Sequence, residues 1–330
     1  MRYVRLGVRG PRVSVIGLGF WQAGSPLWGW RGDLERGVTS VVERALEHGI
    51  TFFDTAEIYG WGRSEELLGK ALSALGVGDE VIVASKVGGF RGPSGIPRAV
   101  EAINRRLRRT VDLVQHHWPP PYTTSFCSVI RALEDSVKKG LAHSYGLSNY
   151  NSQELVKALE CSRRIEPVSN QIQYSLAYRS AEAKLKGVMD ERGIGLIAWS
   201  PLAKGALAGL REPVTRAQRS DKVFRAAASD EELQAALARV AERHGASKAQ
   251  VALAWIIAMG GVPIPGLRRA ERVEEYAGAS NIVLDEDDLE ELDKASRKYI
   301  SMWGSDYRFS NIRVIPGTIQ YIAIRAMGGV

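Results

Sequence analysis

The chain has 330 residues, of which 45% are hydrophobic, 25% charged and 8% aromatic, a composition that excludes the disordered and fibrous classes and suffices for a large core. Its formal charge of +7 suits either a nucleic-acid surface or a phosphate-bearing ligand, which needs only two or three well-placed cations. No apolar run reaches the roughly 18 residues of a membrane span, and MRYVRLGVRG lacks the apolar segment of a secretory signal, so the expectation is a cytoplasmic protein with no membrane partner.

Short apolar runs alternate with amphipathic stretches along the whole chain, without a low-complexity linker, which favours one domain. The opening stretch YVRLGVRGPRV predicts a hairpin over 1–13, turned at Gly10 and Pro11. Eight candidate strands follow: 14–19, 51–56, 80–87, 111–117, 143–149, 168–174, 195–200 and 261–266. Between them Ser64 reads as an N-cap before Glu65 and Glu66, while Asn151 with Glu154, Ser229 with Glu232 and Ser247 with Gln250 read as capping boxes. Eight strands separated by helices imply parallel crossovers, hence an α/β fold whose first form is a single (β/α)8 TIM barrel over 14–266 and whose competitor is an open doubly wound sheet. Helices are expected over 269–279 and 286–299 in the C-terminal extension, 267–299, and the tail after it, 300–330, is apolar and partly alternating. Cys127 and Cys161 fit no metal spacing and are too few for a disulfide framework, which points to a reducing compartment.

In a barrel the site forms where strands end, so polar residues closing apolar runs carry the argument. Asp54 closes the second strand and Tyr59 follows in its loop; Lys86 closes the third, and His116 with His117 closes the fourth. A lysine stabilises a tyrosine phenolate, an aspartate keeps that lysine charged, and a neutral histidine can hold a carbonyl oxygen within reach of the phenol proton. In an extended strand Leu113, Gln115 and His117 share one face and Val114 and His116 the other, so at most one histidine enters the site. NRRLRRT, with Arg105, Arg106, Arg108 and Arg109, is the only basic cluster of note, and no nucleic-acid motif accompanies it. IGLGFWQAG begins like a dinucleotide fingerprint, but Gln22 stands where the third glycine belongs, which argues against a Rossmann turn.

At these residues the sequence resembles the aldo-keto reductase family, including members similar to potassium-channel β subunits. The resemblance rests on DTAEIYG (54–60), SKVG (85–88), DLVQHHWP (112–119), GLSNY (146–150), NQIQYS (170–175), WSPLAKGALAG (199–209) and PIPGLRRAERVEE (263–275), in family order. It implies a catalytic tetrad of Asp54, Tyr59, Lys86 and His117, with Tyr59 as general acid or base, no metal, and His116 in a structural role. It implies further that Ser148, Asn149 and Gln171 bind a nicotinamide carboxamide and that Trp199 stacks on that ring beside Phe20 and Trp21. Ser200, Pro201, Leu202, Ala203, Lys204 and Gly205 would surround the cofactor diphosphate, with Pro265 and Gly266 nearby. Arg268 and Arg272 would take an adenosine 2′-phosphate, so NADPH is expected over NADH; Glu275 follows the family, but Tyr276 replaces its usual adenine-contacting Asn, and must stack on the base, point elsewhere or loosen the site. Trp21, Trp28, Tyr59, His117 and Trp118 would face a small-molecule carbonyl substrate, although Trp28 and Trp30 can equally fold a loop onto the barrel. The function implied is hydride transfer between NADPH and an aldehyde or ketone; the alternative is a catalytically slow nucleotide-binding barrel acting as a regulatory or assembly subunit. The tail is open to three uses: a lid, a packed strand, or a contact between copies of the chain.

Overall fold

The computed structural model describes residues 1–24, 33–267, 269–309 and 312–327. Two short strands, β1 (Tyr3–Arg5) and β2 (Arg12–Ser14), pair antiparallel with Tyr3 opposite Ser14. Eight more form one parallel sheet in sequence order: β3 (Leu18–Gly19), β4 (Phe52–Asp54), β5 (Ile82–Val87), β6 (Val111–His116), β7 (Ala142–Ser148), β8 (Ser169–Gln173), β9 (Gly195–Trp199) and β10 (Gly261–Pro263). The sheet curls until its edges meet: the amides of Gly17 and Gly19 donate to the carbonyls of Pro263 and Pro265, and Gly19 bridges Gly266. A near-closed barrel, and not the open sheet, is therefore the outcome of the parallel runs. Gly17 is required at the seam, since a Cβ there would lie 2.5 Å from the Phe52 ring.

The strands fall inside the predicted runs or within a residue of them, with one exception. The run 14–19 divides: Ser14 ends the hairpin, where its hydroxyl donates to the Ile16 carbonyl and accepts from the Thr51 amide, and only Leu18–Gly19 enters the barrel. Two predicted caps also differ. The helix Arg63–Ala74 is preceded by Gly62 in the left-handed region, and Ser64 lies inside the helix, its hydroxyl tying the Phe20 carbonyl to Thr55. Ser229 ends one helix, and Asp230 caps the next, Glu231–Arg243. The capping boxes of Asn151–Glu154 and Ser247–Gln250 are both formed.

The hairpin closes the barrel's N-terminal end. Leu6 and Val13 join Phe52, Ala84, Leu113, Val168, Ile197, Val262 and Ile264 in an apolar plug inside the strands, separate from the larger core between strands and helices. Cys127, in the helix Phe126–Lys138, and Cys161, ending the helix Ser152–Cys161, are joined as a disulfide with their Cα atoms 4.9 Å apart. This corrects the expectation built on two distant thiols, because consecutive barrel helices bring residues 34 apart side by side.

Of the three uses open to the tail, a packed strand is not the one its last described stretch takes, because that stretch is helical. After Trp303, which stacks on Tyr178, the chain crosses the C-terminal mouth of the barrel and ends in the helix Gly317–Ala326. Its Gln320 accepts from the Trp118 indole at 2.9 Å and donates to the carbonyls of Ile312 and Ile315, while Ile324 packs with Ala56, Ile58 and Trp118. Among the described residues no helix is long and apolar enough to cross a membrane.

Candidate active site

Polar side chains gather at the C-terminal ends of β4, β5 and β6. Lys86 is fully buried, and its ammonium donates to Asp54 Oδ1 at 2.5 Å, the Thr55 carbonyl at 2.9 Å and the Tyr59 hydroxyl at 3.4 Å. Three acceptors for three N–H groups satisfy the ammonium completely. The second oxygen of Asp54 accepts from Gln171 at 2.7 Å and Gln115 at 3.1 Å, so the carboxylate is fixed from both sides. The His117 ring stands edge-on to the Tyr59 ring with centroids 5.7 Å apart. Thus the four residues of the implied tetrad lie together in one cluster.

Electrostatics assign their charge states. Burial alone would lower the Lys86 pKa, but Asp54 and Tyr59 outweigh it and hold the lysine above its ordinary value, charged. Burial, aided by Lys86, drives the His117 imidazole well below its usual pKa, so the ring is neutral; its buried Nδ1 has no hydrogen-bond partner. Burial also raises the Tyr59 phenol, and Lys86 only partly opposes this. The net direction therefore differs from the lysine-lowered pKa expected from sequence: desolvation is the larger effect, and the resting phenol holds its proton. His116 points elsewhere, its Nδ1 2.8 Å from the Tyr150 hydroxyl in the core between strand and helices.

Beside the tetrad, Ser148 donates to the Gln171 carbonyl, and the Asn149 amide spans the His117 carbonyl, the Ser148 hydroxyl and the Trp199 indole. Phe20 is buried edge-on to Phe53. Trp21 lies 6.3 Å from Tyr59, with the Lys204 ammonium 5.8 Å above its ring. The loop after β9 carries an unusual backbone: among the described residues six non-glycine residues have positive φ, of which Ser200, Ala203 and Lys204 lie in this loop and Asn149 directly after β7. Such conformations cost on the order of 1–3 kcal/mol each, and here they close two tight turns in which the Ala203 and Gly205 amides donate to the Ser200 and Leu202 carbonyls. Pro201 and Leu202 lie between Ser200 and Ala203, and Gly205 follows Lys204 at φ 105°. The Lys204 ammonium itself is occupied, 2.6 Å from Asp221. Pro265 accepts from Gly19, and Gly266 adjoins the Gln22 side chain. Arg272 is exposed and paired with Glu275 at 2.5 Å, and Ser247 donates to the other Glu275 oxygen. Tyr276 is buried in the main core, which pushes its phenol up to about 12. Trp28, Trp30 and Arg268 lie outside the described residues.

Trp118 is 3% exposed beneath the tail helix, so the aromatic wall of Trp61, Phe90 and Trp118 is covered by Tyr321 and Ile324. Three further polar groups support the site and escaped sequence reasoning. Gln115 shares the His117 face of β6, a signal that was available. Glu57 accepts from the Gly88 amide at 2.5 Å and grips Arg91 through both oxygens, tying the loop of Tyr59 to the loop after Lys86. Tyr307 reaches Asn149 from the far end of the chain, and nothing local marks it.

Comparison with known proteins identifies the family. The Aldo/keto reductase family model matches residues 15–297. Pyridoxal reductase of Arabidopsis thaliana chloroplasts is 33% identical over 306 residues, covering 87% of this chain and 84% of that protein. A probable voltage-gated potassium channel subunit beta of Arabidopsis thaliana is 29% identical over 315 residues, covering 86% and 92%. The solved structure of a Klebsiella pneumoniae aldo-keto reductase in complex with NADPH superposes with a TM-score of 0.73 at 27% identity, covering 93% of this chain and 99% of that one. With the tetrad cluster at the mouth of an eight-stranded barrel and a family match across most of its length, this chain belongs to the aldo/keto reductase family.

Proposed function

We propose that the chain transfers hydride between NADPH and the carbonyl carbon of an aldehyde or ketone, oxidising the alcohol in reverse. The observation that carries this reading is the closed set Asp54–Lys86–Tyr59 beside a neutral His117. The nicotinamide supplies the hydride when bound. Tyr59 gives its proton to the carbonyl oxygen as charge develops there, and the Lys86 cation, held by Asp54, stabilises the phenolate that remains. His117, kept neutral by burial and by the Lys86 cation, orients the same oxygen by hydrogen bonding. Ser148, Asn149 and Gln171 would hold the carboxamide, Trp199, Phe20 and Trp21 would lie against the ring, and the loop from Ser200 to Gly205, left-handed at Ser200, Ala203 and Lys204, would take the diphosphate. Arg272 offers a guanidinium to a 2′-phosphate, which favours NADPH over NADH. Trp21, Tyr59 and His117 would form the substrate side, with Trp118 behind them under the tail helix, and their apolar surface suits an apolar or aromatic carbonyl compound. Nucleic acid is not part of this reading: Arg106 and Arg109 are spent on Glu65 and Asp112.

Tyr59→Phe is expected to lose carbonyl reduction by at least about a hundredfold, the scale of a positioned acid, while NADPH binding persists. Near-wild-type turnover would remove Tyr59 from the role. NADPH binding by the wild-type protein with no turnover of any aldehyde in a broad panel would instead favour the regulatory-subunit alternative.

A further inference from the structure

Asn149 is bonded on every side. Its amide nitrogen donates to the His117 carbonyl at 2.9 Å and the Ser148 hydroxyl at 3.1 Å; its oxygen accepts from the Trp199 indole at 3.0 Å and the Tyr307 hydroxyl at 2.6 Å. An indole N–H can only donate, so the side facing Trp199 and Tyr307 must be the oxygen. A flip of the amide would turn its NH2 onto that indole donor. Both oxygen lone pairs are thereby engaged, and what Asn149 has left for a ligand is an N–H, released from the longer bond to Ser148.

Tyr307 is itself held firmly. It is 1% exposed, its ring packs edge-on to Tyr178 at 6.2 Å, and its hydroxyl accepts from the Gln173 amide at 3.2 Å. The neighbouring Asp306 receives the Ser152 amide and hydroxyl, and the Arg308 carbonyl receives the Tyr178 hydroxyl. The residue comes from beyond the stretch that the family model matches, which ends at 297.

We infer that Tyr307 is a positioning residue for the cofactor: its hydroxyl fixes the Asn149 amide so that an N–H, and not the oxygen, is presented to the carbonyl of a nicotinamide carboxamide. The C-terminal extension is then part of the cofactor site as well as a cover for the substrate side. This rests on the proposed reading of Asn149 as a carboxamide ligand.

Tyr307→Phe removes the hydroxyl and keeps the ring packing. Its dissociation constants for NADPH and for adenosine 2′,5′-bisphosphate, which carries the adenosine half alone, are to be compared with wild type by titration. The expected result is NADPH weakened about three- to tenfold, the effect of one neutral hydrogen bond, with bisphosphate binding unchanged. In turnover the KM for NADPH rises and kcat at saturation moves little. The same substitution in an Asn149→Ala background should add nothing to the loss caused by Asn149→Ala. Unchanged NADPH binding, equal weakening of both ligands, or additive losses would overturn the inference. Asn149→Ala also reports separately on the underlying reading: if it leaves the ratio of NADPH to bisphosphate affinity where wild type has it, Asn149 is no carboxamide ligand and both fall. Loss confined to NADPH in Asn149→Ala but absent in Tyr307→Phe overturns the role of Tyr307 alone.

Discussion

Burial acts in the same direction on His116 and His117, and their surroundings give them different work. Each ring has one buried nitrogen without a partner, but His117 stands edge-on to Tyr59, whereas His116 bonds Tyr150 through its Nδ1. The cost of burying His116 is visible in its pKa, lowered by desolvation from 6.5 to about 3. Because the folded value lies below the unfolded one, the native state must keep His116 neutral while the unfolded chain takes up a proton. Its contribution is therefore complete above pH 6.5 and is lost progressively as pH falls from 6.5 toward 3. Between pH 7 and pH 5 this loss is about 2 kcal/mol. His116→Gln, which keeps a hydrogen-bonding group for Tyr150, should remove that part of the pH dependence. Urea unfolding at the two pH values checks it: wild type should lose about 2 kcal/mol more than the variant, and equal losses would mean that His116 titrates normally in the fold.

Elements were legible where one physical signal dominated. Runs such as VDLVQHH and EVIVASKV are apolar because barrel strands are covered on both faces, and their polar last residues mark the open mouth; Asp54, Lys86 and His117 could be singled out for that reason, and the family resemblance joined Tyr59 to them. The signal failed where tertiary contact decides. Ser14 looks like a barrel residue until its hydroxyl is seen closing a turn. The segment TIQYIAIRA alternates partly, yet it folds as a helix because Gln320 and Ile324, four apart, meet Trp118 together. The disulfide is a third case, since nothing in the spacing of Cys127 and Cys161 says that their helices are neighbours. By the chain-entropy argument, closing 34 residues is worth about 4 kcal/mol. Reduction, or Cys161→Ser, is accordingly expected to lower the thermal midpoint by several degrees; coincident melting curves with and without dithiothreitol would show that the bond adds no stability.

At the scale of the whole molecule the barrel divides its labour between its ends. The C-terminal mouth holds a buried lysine, an aspartate, a histidine and strained backbone, all of which cost stability. The opposite end is stopped by the hairpin, whose Leu6 and Val13 complete the apolar cluster inside the strands. Gly7 is needed there, with φ 64° and carbonyls of Val168 and Gly193 each 2.6 Å from where a Cβ would stand. Leu6, 1% exposed and the hairpin's deepest side chain in that plug together with Val13, thus tests the division directly. Leu6→Ala removes three buried carbons far from any residue of the proposed mechanism, at a cost of about 2–5 kcal/mol. For a chain of 330 residues that is a fall of roughly 3–7 °C in the thermal midpoint. Well below that midpoint, kcat and the KM for NADPH should stay within about twofold of wild type, because the strand ends at the mouth are fixed by their own ladder and by Asp54–Lys86. Tyr59→Phe should show the opposite pattern, with turnover lost and the midpoint held. If Leu6→Ala lost turnover in proportion to its stability at temperatures where it remains folded, plug and mouth would be one cooperative unit, and the separation argued from their composition would be wrong.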